Sequence, residues 1–329
     1  MRPGWVLCGG VLLLIISCFA SLMVGALPIA PRVVLAAWLH PDATQIEHLL
    51  VQTARLARTL MALTVGACLA VAGVLMQAMT RNPLASPGLF GVNAGAIFFI
   101  VLSSVWLGAA SLATLVWSGF LGAAVAGGLV FGIGSLGRGS TSPVRILLAG
   151  AAITALFLSF TQAMLVINQD GLDSVLFWLA GSVAGRESDL LMPLLPYVVA
   201  GLVFSRVLAP HINILVAGDD VARGLGVRTA WIRGLMGVCV IVLAGSAVAI
   251  AGNIGFIGLI VPHMARRLCS HDHRWLIPAS ALLGACLLLW ADMVARVAIL
   301  PQELPLGVMT AVLGAPYFIA LVRREARHG

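Results

Sequence analysis

Residues 56–96 read LARTLMALTVGACLAVAGVLMQAMTRNPLASPGLFGVNAGA. No charged side chain interrupts the run between Arg58 and Arg81, and a helix over 57–79 is long enough for a bilayer core, which takes about 20 residues to cross. Arg81, Asn82 and Pro83, followed by Pro87 and Gly88, stop that helix: the prolines and the glycine force a fixed turn, and the Asn82 side chain can cap freed backbone groups. At the other end, Arg55 and Arg58 stand three apart and share one helix face. The helix dipole disfavours cations at an N-terminus, which argues against a purely stabilising role. Arginines snorkelling at an interface are the plainer alternative.

The same pattern repeats along the chain. Apolar runs bounded by charged or Pro/Gly-rich stretches fall at 5–27, 57–79, 89–109, 112–134, 144–167, 190–209, 229–250, 254–268, 277–298 and 306–322. Of the 329 residues 61% are hydrophobic and 9% charged, with a mean hydropathy of +1.08. A soluble domain carries about 25% charged residues, so this composition excludes a water-soluble globule. The expected fold is an all-α polytopic membrane protein of about ten transmembrane helices, a single transmembrane domain over 1–329. The first run starts like a signal peptide but is too long for one, and reads as a retained helix.

All 19 basic residues are Arg; the chain has no Lys. A P-loop of the GxxxxGK[ST] type needs a Lys on the phosphates, so no such ATP site exists here, and ATP-driven work falls to a partner. With the N-terminus inside, 14 of the Arg fall on inner segments and five, Arg32, Arg55, Arg58, Arg186 and Arg296, on outer ones. Inner loops of membrane proteins carry the excess of Arg, which supports an even number of spans with both termini inside. The pI near 9.8 then reflects orientation, not nucleic-acid binding. The six Cys are scattered without a CxxC, so neither a zinc site nor a redox pair is indicated.

An internal repeat is visible at an offset of 179: Gly66/Gly245, Ala70/Ala249, Ala72/Ala251, Gly73/Gly252 and Pro83/Pro262 correspond. Five spans per half make such a repeat inverted across the membrane, with halves 1–185 and 186–329, a common transporter architecture. Two segments fit poorly as spans. Residues 170–184 have the pattern of a short interfacial helix, and 211–228 form a long polar inner stretch expected to hold two short helices. A connection of that length is usually functional. Asp292 stands within a span with Arg296 one turn on as its partner. His271, Asp272 and His273 suggest a metal only superficially and read as polar loop packing.

The stretches 56–96, 251–296 (AGNIGFIGLIVPHMARRLCSHDHRWLIPASALLGACLLLWADMVAR) and 303–324 (ELPLGVMTAVLGAPYFIALVRR) resemble the permease subunits of binding-protein-dependent ABC importers for iron–siderophores, haem and cobalamin, the FecCD or BtuC-like family, and within it the ferric-citrate type. The resemblance implies a second permease subunit, identical or not, two cytoplasmic ATPase subunits, a periplasmic or lipoprotein substrate-binding protein, and a place in the bacterial inner membrane among its lipids; it implies no nucleic acid, cofactor or metal. It further implies that Arg55, Arg58 and Arg296 dock the binding protein, that Thr141 and Ser142 in the loop 139–143 form a cytoplasmic gate, where a plain helix cap is the alternative, and that Asp219, Asp220, Arg223, Gly224, Leu225 and Gly226 present a knob to the ATPase. Arg81, Asn82, Pro83, Pro262, His263 and Asp292 are expected to be structural. Ala57 stands where the family usually has Pro. The expected cargo is an iron(III) chelate, possible substitutes being cobalamin or haem; an ion-coupled secondary transporter is disfavoured because acidic or His relays are lacking in the spans, and no catalytic constellation suggests an enzyme.

Overall fold

The computed structural model describes residues 3–108, 111–135, 143–167, 176, 178–186 and 188–325. Among them the regular structure is helical: α1 (Pro3–Met23), α2 (Pro31–Leu39), α3 (Ile46–Leu50), α4 (Leu56–Thr80), α5 (Val92–Val105), α6 (Leu112–Ser135), α7 (Pro143–Ile167), α8 (Leu195–Ala217), α9 (Asp219–Gly224), α10 (Thr229–Ala251), α11 (Ile257–Leu268), α12 (His273–Val297) and α13 (Leu306–Glu325). Seven helical stretches are long and apolar enough to span a membrane, while α5 and the apolar part of α13 are shorter and α11 has 12 residues.

α3, a π-helical turn over Val51–Arg55 and α4 run on as one helix of 35 residues, Ile46–Thr80. It therefore starts well before the apolar run at 57. Its α4 part is the core of the molecule, buried against α10, α11 and α12, whereas α1 lies at the periphery with most of its surface open. The closest approach is between glycines. A methyl group on Gly66 would stand 2.3 Å from the Gly284 carbonyl oxygen, and one on Gly284 would stand 2.4 Å from that of Gly66. Without a hydrophobic drive between helices in lipid, such small-residue contacts let dispersion forces hold α4 to α12.

One sequence expectation is corrected. Residues 211–217 are not a separate short helix but the last two turns of α8, which passes through Pro210. Proline removes one amide, yet Ile212 and Leu215 are fully buried beyond it, and their packing carries the helix on to Gly218. The segment 211–228 thus holds one short helix, α9. Of the stretch 170–184, residues 170–175 and 177 lie outside the described residues; Trp178 is 1% exposed, and the chain leaves helical geometry from Gly181 to Arg186.

Candidate functional site

Two polar clusters occupy the two ends of α4. At its Arg55 end, two of the arginines singled out above, Arg55 and Arg296, converge on the end of α1. A helix leaves its last carbonyls without intrahelical partners, and here the Arg55 guanidinium donates to the carbonyls of Leu22 at 2.8 Å, Met23 at 2.7 Å and Leu27. Arg296 donates to the Ser21 carbonyl at 2.8 Å and that of Val24 at 3.0 Å. Ser21 Oγ and Thr59 Oγ1 lie 2.8 Å apart in a further hydrogen bond between α1 and α4.

Asp292 is completely buried between two guanidiniums. Arg58 donates from Nε at 2.9 Å and adds a second contact from Nη2 at 2.9 Å, while Arg296 donates from Nε at 2.9 Å and from Nη2. The expected Asp292–Arg296 pair is present, and Arg58 enlarges it to a triad. Arg58 Nη1 also pairs with Glu303 at 2.6 Å. A cavity of about 490 Å³ opens over this cluster, lined among others by Arg55, Arg58, Arg186, Arg296 and Glu303. Four guanidiniums stand against two carboxylates, Glu303 in the wall and Asp292 beneath it, and this positive balance favours an anionic guest.

Arg186 had no role assigned from sequence beyond its side of the membrane. Its guanidinium carbon sits 3.8 Å from the centroid of the Trp178 ring, a cation–π arrangement, and burial in this coil pushes its pKa down to about 9. The signal that could have found it was its place among the five outer arginines.

At the Arg81 end, Arg81 closes α4 in a left-handed conformation (φ 50°) and donates to the Leu215 carbonyl at 2.9 Å. Asn82 Oδ1 accepts from the Leu84 amide at 2.9 Å, the capping its side chain suggested. Asp219 accepts from Arg81 at 2.5 Å and from the buried Arg233 at 2.8 Å. Asp219 is therefore held inside an ion-pair cluster, whereas Asp220, Val221, Arg223, Gly224, Leu225 and Gly226 are exposed. Only Ala222 of α9 is fully buried, and its carbonyl accepts from the Val227 amide at 2.9 Å, closing the knob.

Pro262 lies inside α11 and cannot donate to the carbonyl four residues back. Gln77 of α4 fills that vacancy, donating to the carbonyls of Gly258 and Leu259 at 3.3 Å each, and accepts in turn from Arg266 at 2.5 Å. The ring of His263 meets that of Tyr317 edge to face at 6.2 Å. Among the described residues no three His, Cys, Asp or Glu side chains converge as a metal site. Asp272 caps α12, accepting from the Arg274 amide and from Asn213 at 2.6 Å; these hydrogen bonds hold its carboxyl below the usual carboxylate range, the backbone one foremost. Gln77 and Asn213 are lone polar side chains in apolar helices, a signal sequence reading passed over. Thr141 and Ser142 lie outside the described residues.

The model of the FecCD transport family matches residues 13–324. The chain belongs to the FecCD transport family. Among FecCD relatives, "Probable siderophore transport system permease protein YfiZ" of Bacillus subtilis strain 168 is 51% identical over 96% of this chain and 95% of its own length. The Fe(3+)-citrate import system permease protein YfmD of the same organism is 44% identical over 84% of this chain and 82% of its own. A solved structure of an inward-facing ABC transporter of the metal-chelate type superposes with a TM-score of 0.86 at 32% identity, covering 98% of this chain and 99% of that one. As a FecCD protein the chain is a multi-pass membrane permease and not an enzyme; ATP hydrolysis lies in partner subunits. Membership implies ATPase and substrate-binding partners and dimerisation.

Proposed function

We propose that this chain is the permease subunit of a binding-protein-dependent ABC importer that moves an iron(III) chelate across a bacterial inner membrane by ATP-driven alternating access. The observation that carries it is the likeness, over nearly the whole chain, to a siderophore permease and to a metal-chelate transporter. A single chain pairs with a second permease subunit, two cytoplasmic ATPase subunits and an external binding protein. The seven long helices, with the shorter α5, α11 and α13, make about ten crossings with both termini inside, which puts the arginine-lined cavity outside and α9 inside.

In this reading Arg55, Arg58 and Arg296 receive acidic side chains of the binding protein, which the surplus of guanidiniums in the cavity wall favours. Asp220, Arg223, Gly224, Leu225 and Gly226 press on the ATPase, with Asp219 as their anchor, and Thr141 and Ser142 form the gate. The inverted halves are supported by matched contacts of the repeat: Gly66 of α4 meets α12, and its counterpart Gly245 of α10 meets α6 at Ala123. Labelled-iron uptake in a strain lacking this chain, with siderophores, citrate, haem and cobalamin as carriers, tests the function. Loss of uptake for one class of iron chelate alone is the expected result; loss for cobalamin or haem instead would reassign the cargo.

A further inference from the structure

Two non-helical stretches, 181–186 and 252–255, and the first turn of α13 meet around Asn253. The Asn253 amide donates to the Trp178 carbonyl at 3.0 Å, the Ser182 amide to that of Ala251 at 2.8 Å, and the Gly307 amide to that of Gly181 at 3.0 Å. The meeting is too close for side chains: a methyl group would stand 2.4 Å from the Asn253 oxygen at Gly181, 2.4 Å from the Trp178 oxygen at Gly252 and 2.3 Å from the Ala180 oxygen at Gly307.

This crossing lies inside the apolar layer, between the level of Glu303, four residues before Gly307, and that of Gly258. Gly258, the second residue of α11, packs directly on Gly73 of α4. At 1.5 Å per residue Gly73 is about 22 Å from Arg58 and about 12 Å from Arg81, the charged residues that mark the two ends of the run. Irregular backbone at such depth is tolerated only where protein buries it or where it lines a water-filled cavity. Asn253 is exposed on the single chain, so the fold of this chain alone does not bury it. It borders an open groove of about 710 Å³, lined among others by Phe256, Gly307, Val308, Ala311 and Val312 and, among the described residues, by no ionisable side chain. That volume falls within the roughly 300–1,000 Å³ of small-molecule sites.

Asn93, at the start of α5, donates from Nδ2 to Asn253 Oδ1 at 2.8 Å. This fixes the Asn253 amide with its oxygen engaged and leaves its Nδ2 without a partner among the described residues. We propose that the groove is the mid-membrane stretch of the cargo path and that Asn253, held by Asn93, is the polar contact that reads the anionic oxygens of an oxygen-ligated chelate as it passes. A neutral donor suits this task, because a buried cation would bind an anionic chelate tightly and slow its release. The inference rests on the proposed import of an iron chelate.

The test uses the permease assembled with its ATPase and binding protein in liposomes, with Fe(III)–citrate and a ferric trihydroxamate as probes. Asn253→Leu is expected to lower chelate transported per ATP hydrolysed about tenfold, the scale of one lost hydrogen bond, and Asn253→Gln to restore most of it; an unchanged ratio in Asn253→Leu overturns the proposal. Independently of transport, Val312→Cys is expected to react with a charged methanethiosulfonate above the background of the native cysteines and to be protected by chelate during turnover. An unreactive Val312→Cys means a dry groove and overturns the proposal as well. If the unsubstituted transporter moves neither probe while Val312→Cys reacts, the iron reading fails and the wet path stands.

Discussion

Arg58 and Asp292 are 234 positions apart in the chain and joined by a two-point ion pair, Nε and Nη2 each 2.9 Å from Oδ1. Since Asp292 also holds Arg296, a single carboxylate fixes α4, α12 and, through Arg296, the end of α1. Removing it leaves the buried Arg296 without a carboxylate and Arg58 with Glu303 alone. Asp292→Ala is therefore expected to destabilise the permease by about 3–5 kcal/mol, the scale for breaking a buried pair. Thermal unfolding in detergent reads this, and Arg58→Gln added to Asp292→Ala should recover part of the loss.

Glu303 is more than a third exposed and occupies the Arg58 nitrogen nearest the cavity. An exposed pair contributes about 0–1 kcal/mol to stability, so Glu303→Gln should hardly change the melting temperature. It should, however, speed association with the binding protein at low salt, as rim charges act mainly on the on-rate. A stopped-flow measurement that finds the rate unchanged or slower would count against docking at Arg58.

Arg55 combines a docking position with three hydrogen bonds to the end of α1. Arg55→Ala is expected to cost about 1–3 kcal/mol by leaving buried carbonyls unsatisfied, beyond any effect on docking. Arg55→Glu with Arg58→Glu should abolish uptake, but it also sets a like charge beside Asp292. Co-purification of the ATPase with the double variant separates the two causes: a retained complex without uptake marks lost docking.

On α9, neighbouring acidic and basic residues should behave differently. Arg223→Glu alters an exposed side chain and is expected to leave stability within about 0.5 kcal/mol while lowering transport per ATP hydrolysed. Asp219→Asn weakens the hold on Arg81 and on the buried Arg233 and should lower the melting temperature. Equal behaviour of the two variants in both assays would remove the distinction between knob and anchor.

Gly284→Val inserts a branched side chain where a single methyl group already collides with the backbone of α4. Overpacking of this kind costs about 1–3 kcal/mol or more. Differential scanning fluorimetry should show a lower melting temperature, and Gly284→Ala a smaller drop.

Much of this was readable in the chain itself, for local reasons. The uncharged run after Arg58 marks α4, the turn at Asn82 follows from its own side chain, and Asp292 with Arg296 is a one-turn pair. What could not be read depends on distant partners. Nothing near Arg58 points to Asp292 or Glu303, since only the packing of α4 on α12 brings them together. Pro210 reads as a helix end, and only the burial of Ile212 and Leu215 shows that α8 continues. Gln77 looks like a lone polar residue until Pro262 frees the carbonyls it binds.

The helix Ile46–Thr80 carries Arg55 and Arg58 toward one end and meets Arg81 at the other. At 35 residues it is about 52 Å long, and Asp219 ties its far end to the root of α9 through Arg81. One continuous helix thus joins the arginine cavity to the root of α9, with the π-helical turn Val51–Arg55 at its cavity end.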